Sequence, residues 1–179
     1  NLMSPSPVFQ VQVVGGDSKQ VVSDLGIAIS TDVSLAELDE KQADILIVCG
    51  GFRVRLDSEP LLRSKLRRAD TAGAMLGGLW NGAYFLAEAG LLDGHDCAFH
   101  PDGRAMVAEL FPRVRVTNLS FAHSPRRISC AGANSSLGMM LDVVGSIVGP
   151  EVRNAVEEVL GCDKKPEITD VSVVPIGLH

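Results

Sequence analysis

The sequence predicts an α/β fold: a doubly wound, mostly parallel sheet flanked by helices. Residues 43–49 (Ala-Asp-Ile-Leu-Ile-Val-Cys) form an apolar run of strand length ending at Gly50-Gly51, as in a parallel strand covered on both faces. Strand-like runs alternate along the chain with helical patterns of about ten to fifteen residues, which is the rhythm of βαβ units. The glycine-spaced run from Gly73 passes through Trp80-Asn81-Gly82 directly into helical spacing at Tyr84, Phe85, Leu86 and Ala89, closing at Gly90. Such a strand–turn–helix corner holds one residue above the sheet edge, near free backbone N–H groups.

Taken in order, the prolines of residues 1–7 exclude a regular element, and residues 8–14 alternate at period two as a strand does. Residues 15–18 make a turn, residues 26–30 a weaker extended segment, and residues 34–38 a short capped helical turn. After the strand at 43–49, a helix spans 59–69, begun near Asp57-Ser58 with Pro60 in its first turn. Beyond the Trp80 corner come a strand at 96–100, a helix over 102–110 stopped by Pro112, and strands at 114–116 and 127–130. Ala131-Gly132-Ala133-Asn134 opens a long helix through Ile147, closed by Gly149-Pro150, and a last helix covers 151–160. Residues 1–160 read as one domain and 161–179 as a polar linker or tail.

Composition narrows the function. With 179 residues and 46% hydrophobic content the chain can bury a substantial core. A net charge of −6 argues against holding a phosphate backbone. The local basic run Arg63, Lys65, Arg67 and Arg68 reads as a solvated helix face. Cys49, Cys97, Cys130 and Cys162 show neither C-x-x-C pairing nor zinc spacing, so no disulfide framework, metal or cofactor is expected. No apolar run approaches the roughly 20 residues needed to cross a bilayer, and no signal peptide opens the chain, so a soluble cytoplasmic protein is expected.

Ligands of doubly wound sheets bind outside the carboxyl ends of the strands. That rule gathers Gly50, Gly51, Trp80, Asn81, His100 and Asn134 onto one rim as candidate ligand-binding residues, with Cys49 and Cys130 beside them. Each has a plainer use. Trp80 can wall a ligand, its face suiting cations and quaternary ammonium groups, or simply fill the core. Asn81 can donate to a bound carboxylate or cap the following helix. His100 can touch ligand or be a satisfied polar group at a strand end. Gly50 and Gly51 can offer N–H donors to an anion or form a tight turn, and Asn134 can face the pocket from a helix N-terminus or cap it. The two cysteines read as inert packing, and Ser135-Ser136 as helix N-terminal chemistry. An indole has no nucleophile, so no catalytic residue is assigned at the corner.

Together, residues 47–51 (Ile-Val-Cys-Gly-Gly), residues 81–94 with their Leu-Leu-Asp-Gly ending, Cys97-Ala-Phe-His100, residues 110–116 (Leu-Phe-Pro-Arg-Val-Arg-Val), residues 129–134 and residues 139–142 resemble a known family. It is the class I glutamine amidotransferase-like, PfpI-type fold, of flavodoxin-like architecture, in the version that forms the N-terminal domain of AraC/XylS-family, GlxA-like transcription regulators. The resemblance covers roughly residues 8–160. Catalytic members of that superfamily carry Cys at the elbow and His about twenty positions on; the matching pair is Trp80 and His100, and without sulfur the thiolate–imidazole chemistry is lost. The resemblance implies a non-catalytic effector-sensing and dimerisation domain, answering to a small nitrogenous effector such as a betaine, a carnitine-like compound or an amino acid, within a homodimer. DNA binding would reside in a helix-turn-helix domain absent from this chain, and the first βα unit of the fold also looks absent, since residues 8–14 match its second strand. The alternatives are a cysteine-dependent amidase, hydratase or protease-like hydrolase with rearranged residues, and a purely structural dimerisation module.

Overall fold

The structure, a computed structural model, describes residues 1–16 and 19–161; the expected tail, including Cys162, and Asp17-Ser18 of the expected turn lie outside the described residues. The elements in chain order are β1 (Val14–Gly15), β2 (Gln20–Val22), β3 (Ala28–Ser30), β4 (Val33–Ser34), β5 (Ile45–Cys49), α1 (Pro60–Ala72), β6 (Met75–Leu79), α2 (Ala83–Glu88), β7 (Asp96–Ala98), α3 (Arg104–Leu110), β8 (Arg115–Thr117), β9 (Phe121–Ser124), β10 (Arg127–Cys130), α4 (Ala133–Val148) and α5 (Pro150–Leu160). Short 3₁₀ turns at Trp80–Gly82 and Pro101–Gly103 lead into α2 and α3.

The central sheet has the order β5-β6-β10-β9, parallel except for β9. Its register puts Cys49, Leu79 and Cys130 in one row at the carboxyl ends of three strands. Strand alternation sends the two faces to different partners. Ile45, Ile47, Met75, Leu79 and Ile128 pack with Met139 and Val143 of α4, while Leu46, Val48 and Leu76 join Leu66 of α1 and Leu86 of α2 in the larger core. A sheet buried on both faces is what the apolar run at residues 43–49 predicts. β7 pairs in parallel with β8. It meets the central sheet through a side chain, Ser129 Oγ accepting the Ala98 N–H at 2.9 Å, rather than through a backbone ladder.

Helix α1 begins at Pro60, with Glu59 as its cap accepting the Leu61 N–H, and ends at Gly73 in the left-handed region at φ 103°. Its basic run departs from the expected solvated face at Lys65, while Arg67 and Arg68 are exposed. Lys65 is buried, its Nζ donating to the carbonyls of Ala36 and Leu38 and pairing with Glu40 at 2.9 Å. Arg68 pairs with the same carboxylate, Arg63 with Glu88, and Arg67 donates to the Ala89 carbonyl. The charges therefore fasten α1 to the segment after β4 and to the end of α2.

Several strand assignments change, and β2 and β4 are strands where the sequence reading assigns none. The expected strand at residues 8–14 shrinks to Val14–Gly15, because a period-two pattern needs a partner and β4 offers only two residues. Before it, Asn1 holds the backbone of Val8 and Phe9, and the Asp32 carboxylate takes the Val13 N–H. The sequence reading leaves β9 unassigned, yet it pairs antiparallel along all of β10. The capped turn at residues 34–38 forms as expected: Ser34 Oγ donates to Glu37 Oε2 and accepts the Glu37 N–H.

Candidate functional site

The corner after β6 is a strained elbow. Trp80 lies in the left-handed region at φ 55°, a position shared among described non-glycine residues only with Arg126. Such a conformation costs an L-residue about 1–2 kcal/mol, so the surroundings must impose it. They do so through close backbone approach: a Cβ on Gly82 would lie 2.1 Å from the Val48 carbonyl oxygen, and one on Gly78 would lie 2.4 Å from Ala83 Cα. These glycines let the 3₁₀ turn and α2 sit directly on the strand ends.

The indole then stands between two rings. The Phe52 ring meets it edge to face, centroids 4.5 Å apart at 82°. The His100 imidazole lies at 5.4 Å with a 34° tilt. His100 follows β7 and starts the next 3₁₀ turn, its Nδ1 accepting the Asp102 N–H at 3.4 Å and lying 3.6 Å from the Asp102 carboxylate. Of the two uses the sequence leaves open, it has that of a satisfied polar group, as a local cap, and its ring also touches Trp80.

Beside His100 opens a shallow hollow of about 420 Å³, lined also by Ser120, residues 131–133, Asn134 and Ser135. Asn134 is the second residue of α4 and is exposed. The capping expected of it belongs to Gly132 and Ser135, whose hydroxyl accepts the Gly132 N–H at 3.1 Å and donates to the Gly132 carbonyl at 2.9 Å. Trp80, Asn81, Gly50 and Gly51 do not line this hollow.

The other three candidates form a clamp rather than a set of free donors. Gly50 N–H donates to the Leu79 carbonyl at 3.0 Å and Gly51 N–H to Asn81 Oδ1 at 2.8 Å. The expectation of two donors open to an anion is thereby corrected, since both are engaged within the chain. Asn81 Nδ2 in turn donates to the Gly51 carbonyl at 2.9 Å, so the amide neither caps α2 nor points at the rim. Glycine is required here by close approach, a Cβ on Gly50 falling 2.1 Å from Asn81 Oδ1. From the opposite side, the Asp24 carboxylate accepts the N–H groups of Phe52 at 2.6 Å and Arg53 at 3.2 Å.

Burial disfavours the thiolate at two of the cysteines. Cys49 reaches the surface, yet desolvation by the packed atoms around it, with Cys130 adding to the effect, raises its pKa above the ordinary value. Burial pushes Cys97 up to about 11 despite the hydroxyl of Ser129. Among the described residues no group of three or more His, Cys, Asp or Glu side chains is placed to hold a metal ion, and no helix is long and apolar enough to cross a membrane. The sequence reading missed Phe52, whose only signal is a lone aromatic after Gly50-Gly51, and Ser120, which precedes the unassigned β9.

Comparison with known proteins gives a consistent set. The model of the DJ-1/PfpI family matches residues 7–118. The HTH-type transcriptional regulator CdhR of Pseudomonas aeruginosa is 34% identical over 151 residues, which are 84% of this chain and 44% of that protein. The HTH-type transcriptional regulator GbdR of the same species is 30% identical over 177 residues, 98% of this chain and 47% of that protein. The chain thus spans less than half the length of these curated relatives. Among solved structures, an AraC family transcriptional regulator from Pseudomonas putida superposes with a TM-score of 0.80 at 39% identity, covering 87% of this chain and 83% of that one.

Proposed function

Since the chain belongs to the DJ-1/PfpI family and carries an indole at its elbow, we propose that it is a non-catalytic, effector-sensing and dimerisation domain of an AraC-family transcription regulator. The observation that carries this reading is Trp80 itself. A strained backbone is retained at the corner where a nucleophile would be held, and the side chain there offers a π face and an N–H donor but no attacking atom. Strain of this kind persists where the surroundings over-determine it, and it clusters at ligand sites. The regulators to which the chain is similar favour control over catalysis, and the raised thiols of Cys49 and Cys97 weigh against a relocated cysteine nucleophile.

The effector is a small nitrogenous molecule, a betaine, a carnitine-like compound or an amino acid. Trp80 and His100 contact it at the aromatic end and Asn134 at the start of α4. Gly50, Gly51 and Asn81 act as the frame that fixes the corner. DNA is contacted by a separate helix-turn-helix domain of the full-length protein, and binding of effector shifts a homodimer between two states for which the ligand has different affinities. Thermal-shift screening against betaines, carnitine and amino acids tests the reading. One compound should raise the melting temperature in proportion to the logarithm of its concentration, and a screen silent at millimolar concentrations rejects it.

A further inference from the structure

Strand β9 and helix α4 run side by side away from the hollow. Phe121 and His123, two apart on β9, lie on one face of the strand and advance by about 7 Å. Gly138 and Asp142, four apart on α4, lie on one face of the helix and advance by about 6 Å. The rises match, so these residues meet in pairs. The Phe121 ring lies against Gly138, where a Cβ would fall 3.5 Å from its Cε1, and His123 Nδ1 meets a carboxylate oxygen of Asp142. At the other end the two elements face each other across the hollow, with Ser120 just before β9 and Asn134 and Ser135 in the first turn of α4 among its lining. Between them the Ala131 N–H donates to the Ser120 carbonyl at 2.8 Å. Cys130, packed with Met139 of α4, is fully buried there, its thiol donating to the Gly132 carbonyl at 3.5 Å.

Resting on the sensing reading above, we propose that His123 and Asp142 are positioning residues of the hollow: their contact clasps α4 to β9 and so fixes the separation of its two walls. The clasp acts from a distance, since Asp142 lies eight residues, about 12 Å along the helix, from Asn134. β9 pairs its backbone with β10 and α4 pairs with itself, so the joining of strand to helix falls to side chains. Asp142 is the sole charged residue of α4, and no other ion pair on the helix can take its place. The far half of α4 carries α5, Gly145 admitting Arg153 where a Cβ would fall 2.8 Å from its Cδ. A tilt of α4 at the hollow therefore reaches the last described element of the chain.

Iodoacetamide labelling of the native protein, located by peptide mass, tests the clasp without any ligand. Cys130 reports on α4 leaving the strand ends, while Cys97, equally buried in β7, reports on global unfolding. Asp142→Ala and His123→Ala should each label about fivefold faster at Cys130, as expected for loss of a partly exposed pair, and at the wild-type rate at Cys97. The double variant should label no faster than either single one. Alanine at position 142 favours the helix, so the acceleration cannot come from fraying of α4 itself. An unchanged Cys130 rate, or equal acceleration at both thiols, overturns the clasp. Among the betaines, carnitine and amino acids of the thermal screen, a compound that stabilises the wild type should also return Cys130 of Asp142→Ala toward the wild-type rate, by bridging the two walls. A stabilising compound that leaves this rate unchanged overturns the link between clasp and hollow and leaves sensing intact. A silent screen rejects sensing, and the ligand-free rates still decide the clasp.

Discussion

The side-chain amide of Asn81 closes on both polar atoms of Gly51, Oδ1 accepting its N–H at 2.8 Å and Nδ2 donating to its carbonyl at 2.9 Å. A residue of the elbow turn thereby fixes the loop that follows a neighbouring strand thirty positions earlier. Asn81→Ala leaves both Gly51 groups to find water and should destabilise the protein by about 1–3 kcal/mol, read as a lower urea midpoint. Asn81→Asp keeps the acceptor but sets a carboxylate against the Gly51 carbonyl, and should be no more stable than Asn81→Ala.

At position 80 the backbone and the side chain can be separated. Glycine adopts φ near 55° without penalty, whereas alanine bears the same strain as tryptophan. Trp80→Gly should therefore unfold about 1 kcal/mol less easily than Trp80→Ala. Both should lose the ligand-induced rise in melting temperature. A full ligand response in Trp80→Ala would show that the indole does not contact the effector.

The thiols give a test of the rival hydrolase reading. With Cys97 held at about 11 and Cys49 raised by desolvation, little thiolate exists near neutral pH at either site. Alkylation of the native protein by iodoacetamide at pH 7.5 should be slower at both than at free cysteine, rising with pH and reaching Cys97 last. One of these residues reacting faster than a free thiol would restore a cysteine-dependent enzyme.

Glu40 links stability to acid. The hydrogen bond from Lys65, with Arg68 assisting, lowers its pKa from 4.5 to about 2, against the opposing effect of burial. Between those values the unfolded chain binds more protons than the folded one. The contribution is thus complete above pH 4.5 and is lost as pH falls toward 2. Glu40→Gln leaves the buried Lys65 charge without its partner, and should destabilise by about 3 kcal/mol at pH 7 while flattening the acid limb of stability against pH. Chemical denaturation at pH 7, 4.5 and 3 measures both effects.

The alternating fold is legible because its central strands are apolar on both faces and its helices end at Gly73, Gly90 and Gly149, whose positive φ values only glycine adopts readily. The N-terminal strand is over-read because residues 8–14 alternate without a partner long enough to pair with them. The missed strand β9 is short and ends at Ser124-Pro125, and only its pairing with β10 reveals it. At the site, the Trp80 corner is visible as a local change of period. The fate of the Gly50 and Gly51 donors is not, since their acceptors are Leu79 and Asn81 from about thirty residues away. Distant pairing of this kind also hides how Phe52 is held, because Asp24 belongs to the turn between β2 and β3.

That carboxylate has a mechanical consequence. Asp24 leaves the hairpin to grip the loop on which Phe52 stands, and a Cβ on Gly51 would sit 2.5 Å from it. No slack separates the two segments. A displacement of the hairpin must either break those bonds or drag the aromatic corner with it. The turn between β2 and β3 is therefore tied to the aromatic corner through a single carboxylate.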